Sequence, residues 1–133
     1  MQDIRSITGT AVAMTHAVRT ASANGTAVDL QGYSAALVVV QAHAVSTADA
    51  TNGFTFKLQD SPDNSTWTDV AIGDVAGTVA IASTGVANTV IGSIAYVPTS
   101  KAAVRYIRLV ATAAGTTSAA FTAMAVLQGG RVK

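Results

Sequence analysis

The sequence predicts an all-β protein of one domain, built as a sandwich or a barrel. Its 133 residues amount to about one domain. Glutamate is absent, Lys and Leu are few, and Thr and Val are common, so the usual surface-helix formers are scarce and strand formers dominate. Roughly six to eight short strand-like segments, separated by turn formers at near-regular spacing, are typical of these two architectures.

The clearest element is a β-hairpin over residues 53–70, whose sequence is GFTFKLQDSPDNSTWTDV. Its first half alternates polar residues with three apolar ones, the period of a strand with one buried face: Phe54, Phe56 and Leu58. Turn formers at residues 61–65 predict a loop of about five residues, after which the strand pattern resumes. Because the hairpin contains the only Trp and two of the three Phe, we expect it to nucleate the core.

Five further strands are predicted along the chain, at residues 28–30, 35–45, 90–97, 104–112 and 118–128. The second of these is apolar almost throughout, which predicts a central strand covered on both faces. We expect the last one to return through a short turn as the antiparallel partner of the strand before it. The stretch between the hairpin and residue 90 has no clear period, and both weak strands and a surface excursion remain open for it.

We expect three parts along the chain. Residues 1–20 form either an extended N-terminal arm or an edge strand, since Thr8-Gly9-Thr10 interrupts any helix and the apolar residues are scattered. Residues 21–130 are expected to form the β-domain, and residues 131–133 a loose tail.

Low charge is the most informative property of the composition. Only 11% of the residues are charged and the net charge is +1. The densest basic cluster holds only Lys101, Arg105 and Arg108, too thin for the electrostatic footprint of a nucleic-acid-binding protein. So few charges on so apolar a chain predict a surface that neighbouring molecules cover, in an oligomer or a larger assembly.

Several classes of site and location are disfavoured. The chain has no Cys, which excludes disulfides, thiol catalysis and cysteine-based zinc sites. Its beginning does not resemble a secretory signal, and no apolar run approaches the roughly 20 residues of a membrane-spanning helix. We therefore expect a product of the cytoplasm that does not leave by Sec secretion.

No enzyme, metal site or cofactor is predicted. His16 and His43 are the only imidazoles, and without a G-x-S-x-G motif a Ser-His-Asp triad has little support. His43 is expected to be an ordinary strand histidine or an interface residue. Phosphate-binding loops and zinc-ligand spacings do not occur.

Two ligand sites nevertheless remain as hypotheses. Asp60, Asp63 and Asn64 are close enough in sequence to supply oxygen ligands to calcium, although a turn held by its own side chains is the favoured interpretation. The aromatic side chains could form a platform for sugar stacking, although positions in the core or an interface are favoured: Trp67, Tyr33, Tyr96 and Tyr106.

Three stretches resemble a family of phage proteins. They are RTASANGTAVDLQGYSAALVVVQA near the start, FKLQDSPDNSTWTDVA in the middle and RYIRLVATAAGTTSAAFTAMAVLQGG near the end. Together they are similar to the small proteins of tailed bacteriophages and prophages that are encoded beside the major capsid protein. The resemblance spans residues 19–130 and is weakest over residues 71–97.

The resemblance implies a virion structural protein, a head decoration or cement protein with a jelly-roll-like β-sandwich. Such a protein would sit on the capsid exterior after assembly in the host cytoplasm. Its implied partners are the major capsid protein and further copies of itself, as a homodimer or homotrimer, with no direct contact to nucleic acid or membrane. No catalytic residues come with the family.

We expect the N-terminal segment to lie along the capsid or a neighbouring copy. The predicted contact residues are Ile4, Arg5, Ile7, Val12, Met14 and Val18. Two other functions remain open: a head-tail connector or tail structural protein, and a carbohydrate- or surface-binding β-sandwich module. A connector would be present in few copies per particle, whereas a glycan-binding module would depend on Trp67 or Tyr33.

Overall fold

Two antiparallel sheets packed face to face make up nearly all of the structure. A computed structural model of the protein describes residues 8–98 and 104–129. The strands are β1 (Thr8–Arg19), β2 (Ala23–Asn24), β3 (Val28–Asp29), β4 (Ala35–Thr47), β5 (Gly53–Ser61), β6 (Thr68–Asp69), β7 (Val75–Ala76), β8 (Val79–Ile81), β9 (Val90–Tyr96), β10 (Tyr106–Ala114) and β11 (Ser118–Gln128). Short 3-10 turns lie at Ile72–Asp74 and Thr84–Val86.

Each sheet combines strands from the beginning and the end of the chain. The first sheet has the order β1-β11-β4-β9-β7, and the second has the order β2-β10-β5-β6, with β3 also paired to β10 and β8 to β5. We call them sheet 1 and sheet 2. All of these pairings are antiparallel. The predicted all-β sandwich is therefore confirmed.

The pairing is nested, as in a long hairpin rolled up on itself. The first strand, β1, pairs with the last, β11; β2 and β3 pair with β10; β4 pairs with β9; and in the middle β5 pairs with β6 and β8. The contacts β11–β4 and β10–β5 then join these pairs into two sheets. This is the arrangement of a jelly roll.

The core lies between the two sheets. It consists of the side chains at every second position of the strands, which point inward. In β5 these are Phe54, Phe56 and Leu58, as the sequence predicts. In sheet 1 the inward side chains of β4 and β11 are mostly Ala and Val, with two larger exceptions, Phe121 and Leu127. The Phe121 ring meets Phe54 and Phe56 edge to face, at centroid distances of 5.0 and 5.1 Å.

The predicted pairing of the last two long strands is wrong. β11 pairs with β1 and β4 in sheet 1, whereas β10 belongs to sheet 2, so the chain crosses between sheets at the turn around Gly115. Both strands carry a fully apolar inward face, and facing each other across the core buries both faces. A local hairpin would instead place them side by side in one sheet.

The predicted hairpin is present, but its second arm is short. β6 pairs with β5 at only two positions, Gln59↔Asp69 and Asp60↔Thr68. β8 occupies the other end of the same edge of β5. Because of this, Trp67 does not enter the core and lies half-buried on the outer face of sheet 2. The hairpin thus contributes Phe54 and Phe56 to the core but not its Trp, and its role in nucleating the core stays a prediction.

The N-terminal region is an edge strand as far as the structure describes it. β1 pairs along its length with β11, from Thr8↔Gln128 to Arg19↔Ala119, with two register shifts. Its other side has no strand partner among the described residues, since β1 ends the order of sheet 1. Residues 1–7 and the predicted tail at 131–133 lie outside the described residues.

A carboxylate organises the loop between β4 and β5. Asp49 Oδ1 accepts hydrogen bonds from the backbone N–H groups of Thr51 and Asn52, at 2.8 and 2.9 Å. The side chain of Asn52 donates to Asp49 and accepts from the backbone N–H of Thr116 at 2.9 Å, which ties this loop to the β10–β11 turn. These bonds, led by that from the Thr51 N–H, lower the pKa of Asp49 to about 2.

The substitution Phe121→Ala should destabilise the protein by about 3–5 kcal/mol, because it leaves a cavity between two phenylalanines of the opposite sheet. Urea denaturation followed by circular dichroism measures this change. Thr55→Ala, at an exposed outward position of β5, serves as the control and should cost less than about 1 kcal/mol. Equal losses for the two variants would contradict the assigned core.

The contribution of Asp49 to stability should disappear in acid. Its pKa in the folded state, about 2, lies below the value of about 3.9 in an unfolded chain, so between these values the unfolded state binds more protons and stability falls as the pH falls. The melting temperatures of the wild type and Asp49→Ala should therefore differ at pH 6 and converge towards pH 2. A difference that persists unchanged at pH 2 would contradict this role.

Candidate interaction surfaces

The outer face of sheet 1 carries a continuous apolar surface. Cross-strand register places Val12, Met124, Val39 and Ser93 in one row over β1, β11, β4 and β9. The adjacent row consists of Thr10, Val126, Leu37 and Ala95. Three of these apolar side chains are well exposed: Val12 at 44%, Leu37 at 38% and Met124 at 42%. We call the two rows the uncharged face.

The expectation that β4 is a central strand covered on both faces is half right. β4 is central, between β11 and β9. Its burial alternates, however, so that Val38 and Val40 are buried while Leu37 is exposed. A strand that is apolar on both sides is covered on only one side within a single chain.

Charge is nearly absent from the four long strands of sheet 1. Arg19, at the end of β1, is their only Lys, Arg, Asp or Glu residue. Its guanidinium donates to the carbonyl oxygens of Thr15, Ala17 and Phe121 and lies 5.0 Å from the centre of the Phe121 ring. Burial lowers its pKa. The guanidinium of Arg19 therefore lies at one end of the sandwich, away from the uncharged face.

The two histidines meet on sheet 1. His16 and His43 lie on strands that flank β11, at the positions where both strands shift register, and their rings make an edge-to-face contact with centroids 4.5 Å apart. Ala120 of the intervening strand is buried although it points to the outer side. The sequence did not predict this contact, because the two residues are 27 positions apart and only the β1–β11–β4 order brings them together.

The predicted contact residues separate into three groups. Val12 belongs to the uncharged face, and Val18, 68% exposed, lies opposite Ala120 near the histidine pair. Met14 is only 1% exposed, because the register shift after Val12 turns it into the core, so it is not available for contact with a partner. Ile4, Arg5 and Ile7 lie outside the described residues.

The outer face of sheet 2 is polar and internally bonded. Lys57 Nζ and Gln59 Nε2 each donate to Asp69, at 3.0 and 2.8 Å, and these bonds, led by that from Gln59, lower the pKa of Asp69. The guanidinium of Arg108 donates twice to Gln59 Oε1, at 2.9 and 2.7 Å. Arg108 also lies 4.4 Å from the centre of the Trp67 ring. The side chains of this face thus bind one another.

The aromatic side chains do not form the platform that was hypothesised for sugar stacking. Trp67 is stacked by Arg108, and Tyr106 is stacked by Arg105 at 5.1 Å, so each ring has a guanidinium on one face. Tyr96 is fully buried, and Tyr33 is partly buried against the core. Sugar stacking would need free ring faces that lie together.

Tyr96 belongs to a buried polar cluster. Its hydroxyl donates to Asp60 Oδ2 at 3.3 Å and accepts from the backbone N–H of Val104 at 3.4 Å. Burial, followed by the nearby charge of Asp60 and Asp74, raises the pKa of Tyr96 to about 12. The phenol therefore stays protonated near neutral pH, as suits a structural hydrogen-bond donor.

The residues of the calcium hypothesis do not converge. Asp60 is buried beside Tyr96, whereas Asp63 is exposed and accepts backbone bonds from Ser65 and Thr66 at 3.0 and 2.9 Å. Those bonds, led by that from Thr66, lower the pKa of Asp63 to about 2. Asn64 has φ of 61°, the left-handed conformation that Asn tolerates in turns. The turn interpretation fits this geometry.

A small apolar groove lies between the sheet edges. It has a volume of about 220 Å³ and is lined by Phe56, Leu58, Val70, Val75 and Ile94, with Lys57, Asp69 and Thr78 among its polar neighbours. Ile72, 91% exposed, stands beside it. Lys57 and Asp69, which line the groove, form an ion pair at 3.0 Å. The groove has room for an apolar side chain.

A search against models of protein families and a search of curated proteins both found no match. Within residues 8–98 and 104–129, no group of three or more His, Cys, Asp or Glu side chains could hold a metal ion. The same residues contain no helix long and apolar enough to cross a membrane.

Removing the guanidinium of Arg108 should expose the only tryptophan. In Arg108→Ala, Trp67 loses its stacked neighbour, so acrylamide should quench its fluorescence more strongly and stability should fall by about 0.5–1 kcal/mol. Arg105→Ala is the matched control, since it removes the contact with Tyr106 and leaves Trp67 untouched. Unchanged quenching in Arg108→Ala would contradict the stacking.

Proposed function

We propose that the protein is a structural decoration or cement protein of a tailed-bacteriophage head, which binds the outer capsid surface and bridges major capsid subunits. The observation that carries the proposal is the uncharged face: a broad sheet surface with exposed Val, Leu and Met side chains. Such a surface is suited to burial against protein, because no charge has to be desolvated. The sequence resemblance supplies the capsid as the setting.

A jelly-roll sandwich fits the mechanical task. A cement protein holds a shell together by burying area at many equivalent places, which needs a rigid body with extended surfaces. In this chain the nested pairing locks the first strand to the last, so a pull on residues near either end acts on neighbouring strands of one sheet. The load is then shared by the ladder of hydrogen bonds between β1 and β11.

The polar face gives less support to a glycan-binding module. A sugar site needs hydrogen-bonding groups and an aromatic ring that are free to turn towards the ligand. On sheet 2 the groups Lys57, Gln59, Asp69 and Arg108 already bind one another, and Arg108 covers one side of Trp67. Loss of glycan retention in Trp67→Ala with normal assembly would favour that alternative.

The number of copies in purified virions tests the proposal directly. Quantitative mass spectrometry should find a ratio to the major capsid protein of one, or a simple fraction of it, because a cement protein occupies equivalent positions over the whole lattice. About a dozen copies or fewer per particle would instead indicate a head-tail connector or tail protein. Absence from particles would contradict a virion role.

The N-terminal contact is tested by a short truncation. Removing residues 2–7 takes away Ile4, Arg5 and Ile7 and leaves β1 whole, whereas a cut extending to residue 18 would strip the edge strand from β11. We expect the truncated protein to keep its melting temperature. When it is added to capsids that lack the wild-type protein, it should bind much less than the full chain does. Undiminished binding would show that these three residues are not contacts.

A further inference from the structure

The two histidines of the chain meet on the outer side of sheet 1. Ala17 and Ala42, their neighbours along the two strands, both pair with the inward Phe121. Because side chains alternate along a strand, His16 and His43 point outward. His16 is exposed and His43 is half-buried, so both are accessible to solvent. Imidazole is the commonest protein ligand of metal ions, and it suits Zn²⁺, Ni²⁺ and Cu²⁺.

A β-bulge on each flanking strand aims these side chains at each other. On β1, Thr15 and His16 lie opposite Thr122 alone. On β4, His43 and Ala44 lie opposite Ala120 alone. Two residues that oppose one form a β-bulge, which bends the strand, re-aims a side chain and is frequent beside active sites. Ala120 is 3% exposed, and its small side chain leaves room for both rings above β11.

Hydrogen bonds hold the backbone at both bulges. The guanidinium of Arg19 donates to the carbonyl oxygens of Thr15 and Ala17, on either side of the histidine of β1, at 2.8 and 3.2 Å. The carbonyl oxygen of His43 accepts from the backbone N–H of Asn88 at 2.8 Å. The backbone positions from which the two rings project are therefore fixed. Such preorganisation lowers the cost of binding, because only the side chains have to turn.

The charge nearest to the pair along β1 is directed elsewhere. The guanidinium of Arg19 lies 5.0 Å from the centre of the ring of Phe121, which points into the core. Its charge is therefore on the inner side of sheet 1, whereas the imidazoles are on the outer side. The long strands of this sheet carry no other charged residue, so no second cation opposes a metal ion there.

The distance between the rings fits ligation of one ion by both. Zinc–nitrogen bonds of about 2.0–2.1 Å place an ion about 3.2 Å from the centre of each imidazole ring. Two such rings at a tetrahedral angle have centres about 5 Å apart. The observed centres are 4.5 Å apart, with the rings edge to face at 87°. Rotation of the side chains, without a shift of the strands, can thus direct one nitrogen of each ring at a common point.

We propose that His16 and His43 form a binding site for one divalent transition-metal ion, of the class of Zn²⁺, Ni²⁺ and Cu²⁺. The ion clips the edge strand β1 to β4 across β11. Residues 8–98 and 104–129 offer no third His, Cys, Asp or Glu ligand beside the pair, so water completes the coordination shell. The sequence does not predict this site, because ligand motifs are recognised at short spacings and these residues are 27 positions apart. The inference goes beyond the proposed function and does not depend on it.

Titration with metal salts is the first test. Calorimetry of the full chain with Zn²⁺, and separately with Ni²⁺, should give one ion per chain. Saturating Zn²⁺ should raise the melting temperature, since the ion binds only where the fold brings both ligands together. Absence of binding at millimolar metal would overturn the inference and leave the pair as a ring contact. The copy number in virions would still test the proposed function.

Two variants separate ligation from the ring contact. His16→Phe and His43→Phe each keep an aromatic ring in the contact and remove one ligand. Both should melt close to the wild type in EDTA, bind Zn²⁺ more weakly by at least about tenfold, and lose the rise in melting temperature. Thr10→Phe, at an exposed position of the same edge strand, is the matched control and should bind Zn²⁺ as the wild type does. Unchanged affinity in both histidine variants would contradict the site.

Electron paramagnetic resonance of the Cu²⁺ complex identifies the ligands. The chain has no other His, so coupling to imidazole nitrogen can come only from this pair. The wild type should show two coupled imidazoles and His16→Phe should show one. A single coupled imidazole in the wild type would overturn the proposal.

The mass of the loaded protein distinguishes a site within one chain from a site shared by two. Light scattering should give the same mass with Zn²⁺ and with EDTA. A doubling of the mass with one ion for two chains would overturn the site proposed here, because the two ligands would then come from different copies.

Discussion

The packing of Phe121 between Phe54 and Phe56 is the contact on which the rest of the structure depends. The inward side of β11 is otherwise alanine, apart from Leu127 near its end, so it offers little apolar volume of its own. One large ring from sheet 1, held edge to face by two rings from sheet 2, fixes the distance and register of the sheets. Ala and Val make up half of the buried core cluster. Such small side chains bury less area per residue, so the few aromatic rings account for a larger share of stability.

The nested pairing explains why the two outer faces differ so strongly. Sheet 1 is made from the apolar, nearly chargeless segments at the start, middle and end of the chain, whereas β5, β6 and β10 bring Lys57, Asp69 and Arg108 to sheet 2. On sheet 2 these charges are neutralised by bonds within the face. On sheet 1 no such bonds exist on the uncharged face, where Val12, Leu37 and Met124 are exposed to solvent.

This contrast suits the two outer faces to different tasks, association and exposure to solvent. A protein that works by covering a shell needs one surface that associates and another that stays in solvent without aggregating. The bonded polar network of sheet 2 suits the solvent side, since charged residues oppose non-specific association. In the proposed function, the uncharged face and the N-terminal segment are the associating side. The proposed capsid role draws on this asymmetry.

The sequence by itself determined the fold class, the long strands and the turn at Asp63-Asn64, because these depend on local alternation and turn chemistry. Its low charge also predicts a surface that partners cover, and this stays a prediction. Only the tertiary structure decided that β11 lies beside β1 and β4, that Met14 is buried while Val12 is exposed, and that His16 meets His43. Register shifts and sheet membership are set by contacts between distant segments, and a periodic pattern read along one strand carries no information about its neighbours.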